Sequence, residues 1–206
     1  MKNFHVLEHF LPPGSPDMVE GMLKRFPVNL RISKTRASKL GDFRPLPSEQ
    51  FHIISINHDL NPFAFLITLV HEVAHRNTWN EHLDKVSPHG SEWKQHFRIL
   101  MVPYIEKEIF PQGVKLELER YMQNPAASSC SSPGLTKALK VFDRGDSLLL
   151  DDVPTGSIFI IKDNVKLMFK KGDKARSRYL CLEMRTNRKY WVSGLAEVIV
   201  QPKKDS

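Results

Sequence analysis

The chain has 206 residues, 41% hydrophobic and 26% charged, with a formal net charge of +7. This is an ordinary globular composition, enough for one domain of about 120–150 residues and a smaller second one, and it excludes a disordered or fibrous chain. Two cysteines, Cys130 and Cys181, exclude a disulfide framework and a four-cysteine zinc site, and the longest apolar stretch, Phe63 to Val70, is too short to span a bilayer.

From the N-terminus, "MKNFHVLEHFLPPG" has no long apolar core and no small-residue cleavage site, so it reads as no signal peptide. A cytoplasmic protein with no membrane partner is expected. "SPDMVEGMLKRF" opens with Ser15 as N-cap and Pro16 in the first turn, a helix start. "VNLRISKT" alternates from Val28 and predicts a strand. "KLGDFRP" holds a Gly-Asp turn and starts a second strand, and "FHIISIN" (Phe51 to Asn57) is a third. "NPFAFLITLVHEVAHRNTWNEHL" begins with Asn61 as N-cap and Pro62 at the first helical position, and predicts a long helix buried in its first half. "KVSPHG" breaks it. Ser91 is expected to cap the next helix, "SEWKQHFRILMVPYIEKEIF", with Pro103 as a point of kinking. "GVKLELERYMQ" is a further short helix.

"NPAASSCSSPG" (Asn124 to Gly134) is rich in Ser, Pro and Ala and reads as linker. Beyond it, "GSIFIIK", "VKLMFKK", "ARSRYLCLEM", "RKYWVSG" and "AEVIV" are short strands separated by turn signals. The expected organisation is an α+β domain over residues 1–124, a linker over 125–144, and a small antiparallel β domain over 145–206.

Between Lys162 and Lys189 lie ten Lys/Arg and three acids, so this block alone accounts for the net charge of +7. The remaining 20 bases and 20 acids cancel. The basic residues interleave with Phe159, Phe169, Tyr179, Tyr190 and Trp191. Basic grooves with stacking aromatics suit single-stranded nucleic acid. The expected contacts are Lys170, Lys171, Lys174, Arg176, Arg178, Arg188 and Lys189. An apolar core under a solvated basic face would give the same alternation.

Five of the nine histidines fall between Leu69 and Phe97. His71 and His75 are four apart on the predicted long helix, on one face and one turn apart. Two imidazoles so placed can hold one zinc ion. Glu72, rotated round the helix, can reach a metal-bound water instead of the metal; this is the H-E-x-x-H arrangement of zinc hydrolases. A zinc ion lowers the pKa of its water to about 7, and the neighbouring carboxylate can take the proton. The apolar run before the motif predicts that His71 and Glu72 are buried, and buried polar groups need partners.

A catalytic zinc usually has three protein ligands. A metzincin pattern would place glycine and histidine at Thr78 and Glu81, and so fails. His82 lies almost two turns beyond His75. Glu92, Glu106 and Glu108 are candidates of the thermolysin type. His89 is the better third ligand, because Pro88 and Gly90 allow a sharp turn back onto the helix. Glu92 and His96 are candidate partners that orient a ligand imidazole, and His52 and His58 read as structural.

"HEVAH", followed after thirteen residues by "HG" opening "HGSEWKQHF", resembles the SprT-like zinc metalloprotease domain, the family of the Spartan DNA–protein crosslink proteases. "SKLGDFRP" and "HIISIN" are similar to the strand pair before that family's motif helix. The resemblance covers about residues 15 to 123. It implies a zincin-like fold, one zinc per chain on His71, His75 and His89, Glu72 as general base, and peptide hydrolysis. It also implies a protein substrate associated with DNA. Many bacterial members end in a zinc ribbon with two cysteine pairs, which this chain lacks. An alternative from another class is a non-proteolytic nucleic-acid-binding or regulatory protein with a structural zinc.

Overall fold

A computed structural model describes residues 4–36, 38–46, 51–145, 147–162 and 164–201. The chain forms two compact units that divide between Asp143 and Arg144.

The first unit is α+β. Helices α1 (Phe4–Glu8) and α2 (Pro16–Arg25) lead into strand β1 (Val28–Ser33), then β2 (Gly41–Arg44) and β3 (His52–Asn57). The sheet order is β1-β3-β2. β1 runs parallel to β3, with Leu30 opposite Ile54, and β2 runs antiparallel to it, with Phe43 opposite Ile54. Helix α3 (Pro62–His82) crosses the unit, followed by α4 (Ser91–Glu106), α5 (Gln112–Gln123) and α6 (Pro133–Lys140).

α3 is the axis of this unit. Every residue from Ala64 to Ala74 is buried, as expected of a helix apolar on all faces. Its start is fixed by chemistry already present in the sequence. The Asn61 side chain accepts the Ala64 N–H at 3.0 Å, and Pro62 supplies the preset φ of the first turn. Asn61 Nδ2 also donates to the Leu139 carbonyl at 3.0 Å and to Asp143 Oδ1 at 2.7 Å.

That contact corrects the linker expected over 125–144. α6 lies inside this stretch, and Leu135 and Leu139 join the apolar core with Cys130. The Ser/Pro/Ala composition signals irregular backbone, and the chain from Asn124 to Ser132 is irregular. The spacing of Leu135 and Leu139, one helical turn, nevertheless attaches the segment to the core. Helix α4 starts one residue earlier than expected: Gly90 occupies the N-cap, and Ser91 is the first helical residue. Pro103 sits near the end of α4, which continues to Glu106.

The second unit is an antiparallel sheet. Strands β4 (Leu148–Leu149), β5 (Ile158–Ile161), β6 (Asn164–Lys170), β7 (Lys174–Ala175), β8 (Arg178–Glu183), β9 (Lys189–Ser193) and β10 (Glu197–Val200) are arranged β4-β10-β5-β6-β8-β7. β9 lies on the other edge of β8, with Leu180 opposite Trp191. A core of Leu150, Val153, Phe159, Phe169, Tyr179, Cys181, Val192 and Val198 fills one face. Among the described residues no helix is long and apolar enough to cross a membrane.

Candidate metal centre

His71 and His75 project from the same face of α3, and their Nε2 atoms lie 3.2 Å apart. The turn between α3 and α4 folds His89 back onto them. The Gly90 N–H donates to the Ser87 carbonyl at 3.0 Å, closing that turn. The His89 ring centroid sits 5.4 Å from that of His71 and 4.5 Å from that of His75. One potential ligand atom from each of the three lies within 4.8 Å of the others, and among the described residues no other group of three or more metal-ligating side chains is brought together this closely. His82, Glu92, Glu106 and Glu108 are therefore not part of the cluster.

Trp93 of α4 forms the floor. Its ring packs against all three imidazoles at 4.6, 5.3 and 4.9 Å. Its Nε1–H donates to the His71 carbonyl at 3.3 Å, and Phe97 stacks beneath it.

The surroundings keep the three imidazoles unprotonated. Burial, then the neighbouring His75 and His89, holds the His71 pKa down to about 2. Burial, then His89, holds His75 down to about 3. Burial, then Lys94, lowers His89. All three imidazoles are thus neutral at ordinary pH, with lone pairs available. His71 Nδ1 and His89 Nε2 are buried without a hydrogen-bond partner. Three convergent neutral imidazoles of this kind could hold a metal ion.

Glu72 is 5% exposed. Burial, then the Asp42 carboxylate, pushes its pKa up to about 8. The Phe43 main chain, Arg36 and Lys39 oppose the shift. The carboxyl lies against edge strand β2 where that strand has no side chain: a Cβ on Gly41 would stand 2.5 Å from Glu72 Oε1. The start of β2 is held by Asn57. Its amide donates to the Lys39 carbonyl at 3.0 Å, and its main-chain N–H donates to the Leu40 carbonyl at 2.9 Å. Gly41, Asp42 and Phe43 therefore shape the Glu72 environment from 29 to 31 residues away in sequence. In the sequence, Gly-Asp signalled only a turn.

The imidazoles and Glu72 line a cavity of about 460 Å³, walled also by Phe43, Pro45, Trp79, Leu83, Val86 and Pro88. The candidate partners Glu92 and His96 do not serve the cluster. His96 Nε2 meets Glu81 Oε2 at 3.2 Å, and Glu92 accepts from the Ser91 hydroxyl. His52 is structural: its Nδ1 accepts from the Leu46 N–H, and its Nε2 meets Asn80 Oδ1 at 3.0 Å.

In the second unit the seven basic residues separate. Lys170, Lys174, Arg176, Arg178, Arg188 and Lys189 are exposed, and Lys174 is held by Asp151 at 2.7 Å. Lys171 is a correction. It is buried, donates to the Leu150 carbonyl at 2.6 Å and to the Val153 carbonyl, and lies over the Tyr179 ring. At the end of β6 the chain turns inward, and the ammonium satisfies the carbonyl that opens the 3₁₀ turn at Leu150–Asp152 and the one just past its end. Of the aromatics, Phe159, Phe169 and Tyr179 are core residues, and Tyr190 packs edge-on against Phe169. Trp191 is 53% exposed. The β8–β9 register sets Arg178, Leu180, Trp191 and Lys189 on one face, and the β6–β8 register adds Met168 and Lys170.

Comparison with protein-family models, with curated proteins and with solved structures gives no match to this chain.

Proposed function

We propose that the chain is a zinc-dependent metallopeptidase of the SprT-like, zincin-like kind, holding one zinc ion through His71, His75 and His89. The observation that carries this reading is a partly buried cluster of three neutral imidazoles beside a carboxyl of raised pKa, all opening on one cavity. When bound, zinc would supply a Lewis acid that polarises a carbonyl and brings the pKa of water to about 7.

The chain's own residues do the rest. Glu72 takes a proton from the attacking water and delivers it to the departing amine nitrogen. A carboxyl whose surroundings favour the protonated form is suited to carry that proton between the two steps. Gly41 leaves the space in which the carboxyl lies, and Trp93 fixes the imidazoles from below. Structural zinc sites are usually four-coordinate with protein ligands alone, whereas catalytic ones keep an open position. Three ligands facing a cavity favour the catalytic role over a structural zinc.

DNA-associated proteins are the proposed substrates, and the exposed face carrying Lys170, Arg178, Lys189 and Trp191 is the proposed nucleic-acid contact, single strands in preference. The test is cleavage of a DNA-bound basic protein by zinc-loaded enzyme, with and without single-stranded DNA, beside Glu72→Gln. Loss of cleavage in Glu72→Gln with zinc content unchanged is expected. Full zinc loading with no cleavage by the parent would favour the non-proteolytic alternative.

A further inference from the structure

Helix α3 ends at a residue that neither local conformation nor packing explains. Leu83 follows its last turn with φ 55° and ψ −130°. Positive φ of this kind favours glycine, the usual residue just past a helix. The conformation is imposed by the chain path, since the Leu83 N–H closes the helix on the Trp79 carbonyl at 2.7 Å. A leucine here carries backbone strain that glycine would avoid. Its side chain gains little from folding in return, being 53% exposed.

The position of Leu83 supplies a reason. Leu83 lines the cavity shared by Glu72 and the three imidazoles, together with Phe43, Trp79, Val86 and Pro88, and Asp42 and Asp84 also border it. These come from edge strand β2, from the last turn of α3 and from the connection to α4. The cavity, about 460 Å³, is within the range that encloses a small ligand. We propose that this apolar wall is a subsite for a bulky aliphatic or aromatic side chain next to the peptide bond to be cut, with Leu83 as its specificity-determining residue. The inference rests on the metallopeptidase reading and narrows its substrate class. Bulky apolar side chains are mostly inside folded proteins. The substrate is therefore an unfolded or extended segment and not a compact domain.

The experiment uses zinc-loaded Glu72→Gln, which keeps the site and stops turnover. Two labelled peptides, identical except for Phe or Asp at one central position, are titrated by fluorescence anisotropy. Burial of one aromatic side chain predicts tighter binding of the Phe peptide by about tenfold or more. Adding Leu83→Gly is expected to erase most of that preference without lowering the melting temperature, because the strain goes with the side chain. Equal binding of the two peptides, or a preference that survives Leu83→Gly, overturns the subsite. A lowered melting temperature overturns the strain argument. If the Phe preference holds but the zinc-loaded parent cuts neither peptide, the metallopeptidase reading falls and the apolar subsite stands as a binding site.

Discussion

Replacing Glu72 by Gln should stabilise the metal-free first unit, increasingly so as pH rises. The carboxyl pKa goes from 4.5 in a solvated chain to about 8 in the fold. A raised carboxyl pKa means that its contribution is fully present below 4.5 and is lost as pH rises through about 8. Each pH decade between those limits is worth about 1.36 kcal/mol. The parent thus gives up about 3 kcal/mol by neutral pH and about 5 kcal/mol once the carboxyl ionises in the fold. Gln is nearly isosteric, accepts from the same Phe43 main chain, and does not titrate. The assay is urea unfolding of chelator-treated protein at about pH 5, 7 and 9, comparing parent with Glu72→Gln. A Trp191→Phe background leaves Trp79 and Trp93, both in the first unit, as the only tryptophans to follow by selective excitation. The histidine contributions are common to both proteins and cancel in the difference. That difference should widen by about 4 kcal/mol from about pH 5 to about pH 9 in favour of Gln. Parallel pH profiles would refute the reasoning, because Glu72 would then be ionised in the fold at little cost.

The buried histidines act in the opposite direction. Their lowered pKa values, about 2 for His71 and about 3 for His75, make the metal-free unit lose stability as pH falls below 6.5. Each contributes a slope of about 1.4 kcal/mol per pH decade, measurable by acid titration of near-UV circular dichroism. His89→Ala should weaken zinc binding by more than about 100-fold in a chelator competition while the metal-free fold survives, since His89 is only half-buried. Neighbouring lysines should separate cleanly. Lys170→Ala should weaken binding of a dT oligonucleotide and leave stability alone. Lys171→Ala should cost the second unit about 1–3 kcal/mol in urea unfolding, because the Val153 carbonyl loses its ammonium donor and the Leu150 carbonyl keeps only the Val153 N–H at 3.3 Å.

Much of the candidate metal centre could be read from the chain because its grammar is local. The His71/His75 spacing needs only helical periodicity, and the start of α3 needs only Asn61 and Pro62. His89 was accessible because Pro88 and Gly90 mark a turn that returns the chain to the helix. What was not accessible depends on distant contacts. Nothing in "KLGDFRP" says that its glycine lies against the Glu72 carboxyl, because that contact depends on β2 pairing with β3. The stretch over 125–144 misled because composition reports local irregularity, whereas Leu135 and Leu139 are held by tertiary packing. Lys171 misled in the same way. Charge predicts exposure until buried carbonyls supply the partners. Leu83 is invisible in the sequence, since nothing there reveals that a leucine occupies a backbone conformation suited to glycine.

The bond from Asn61 to the far end of the first unit has a consequence for the order of events at the ribosome. The three histidines are complete once His89 has been synthesised. The helix bearing two of them, however, is tied at its first turn to Leu139 and Asp143, and Asp143 lies 54 residues beyond His89. At about 5–20 residues per second, that interval lasts roughly three to ten seconds. During it the growing polypeptide presents a full set of imidazoles on an unfinished framework, so their native arrangement waits for the end of the unit to arrive.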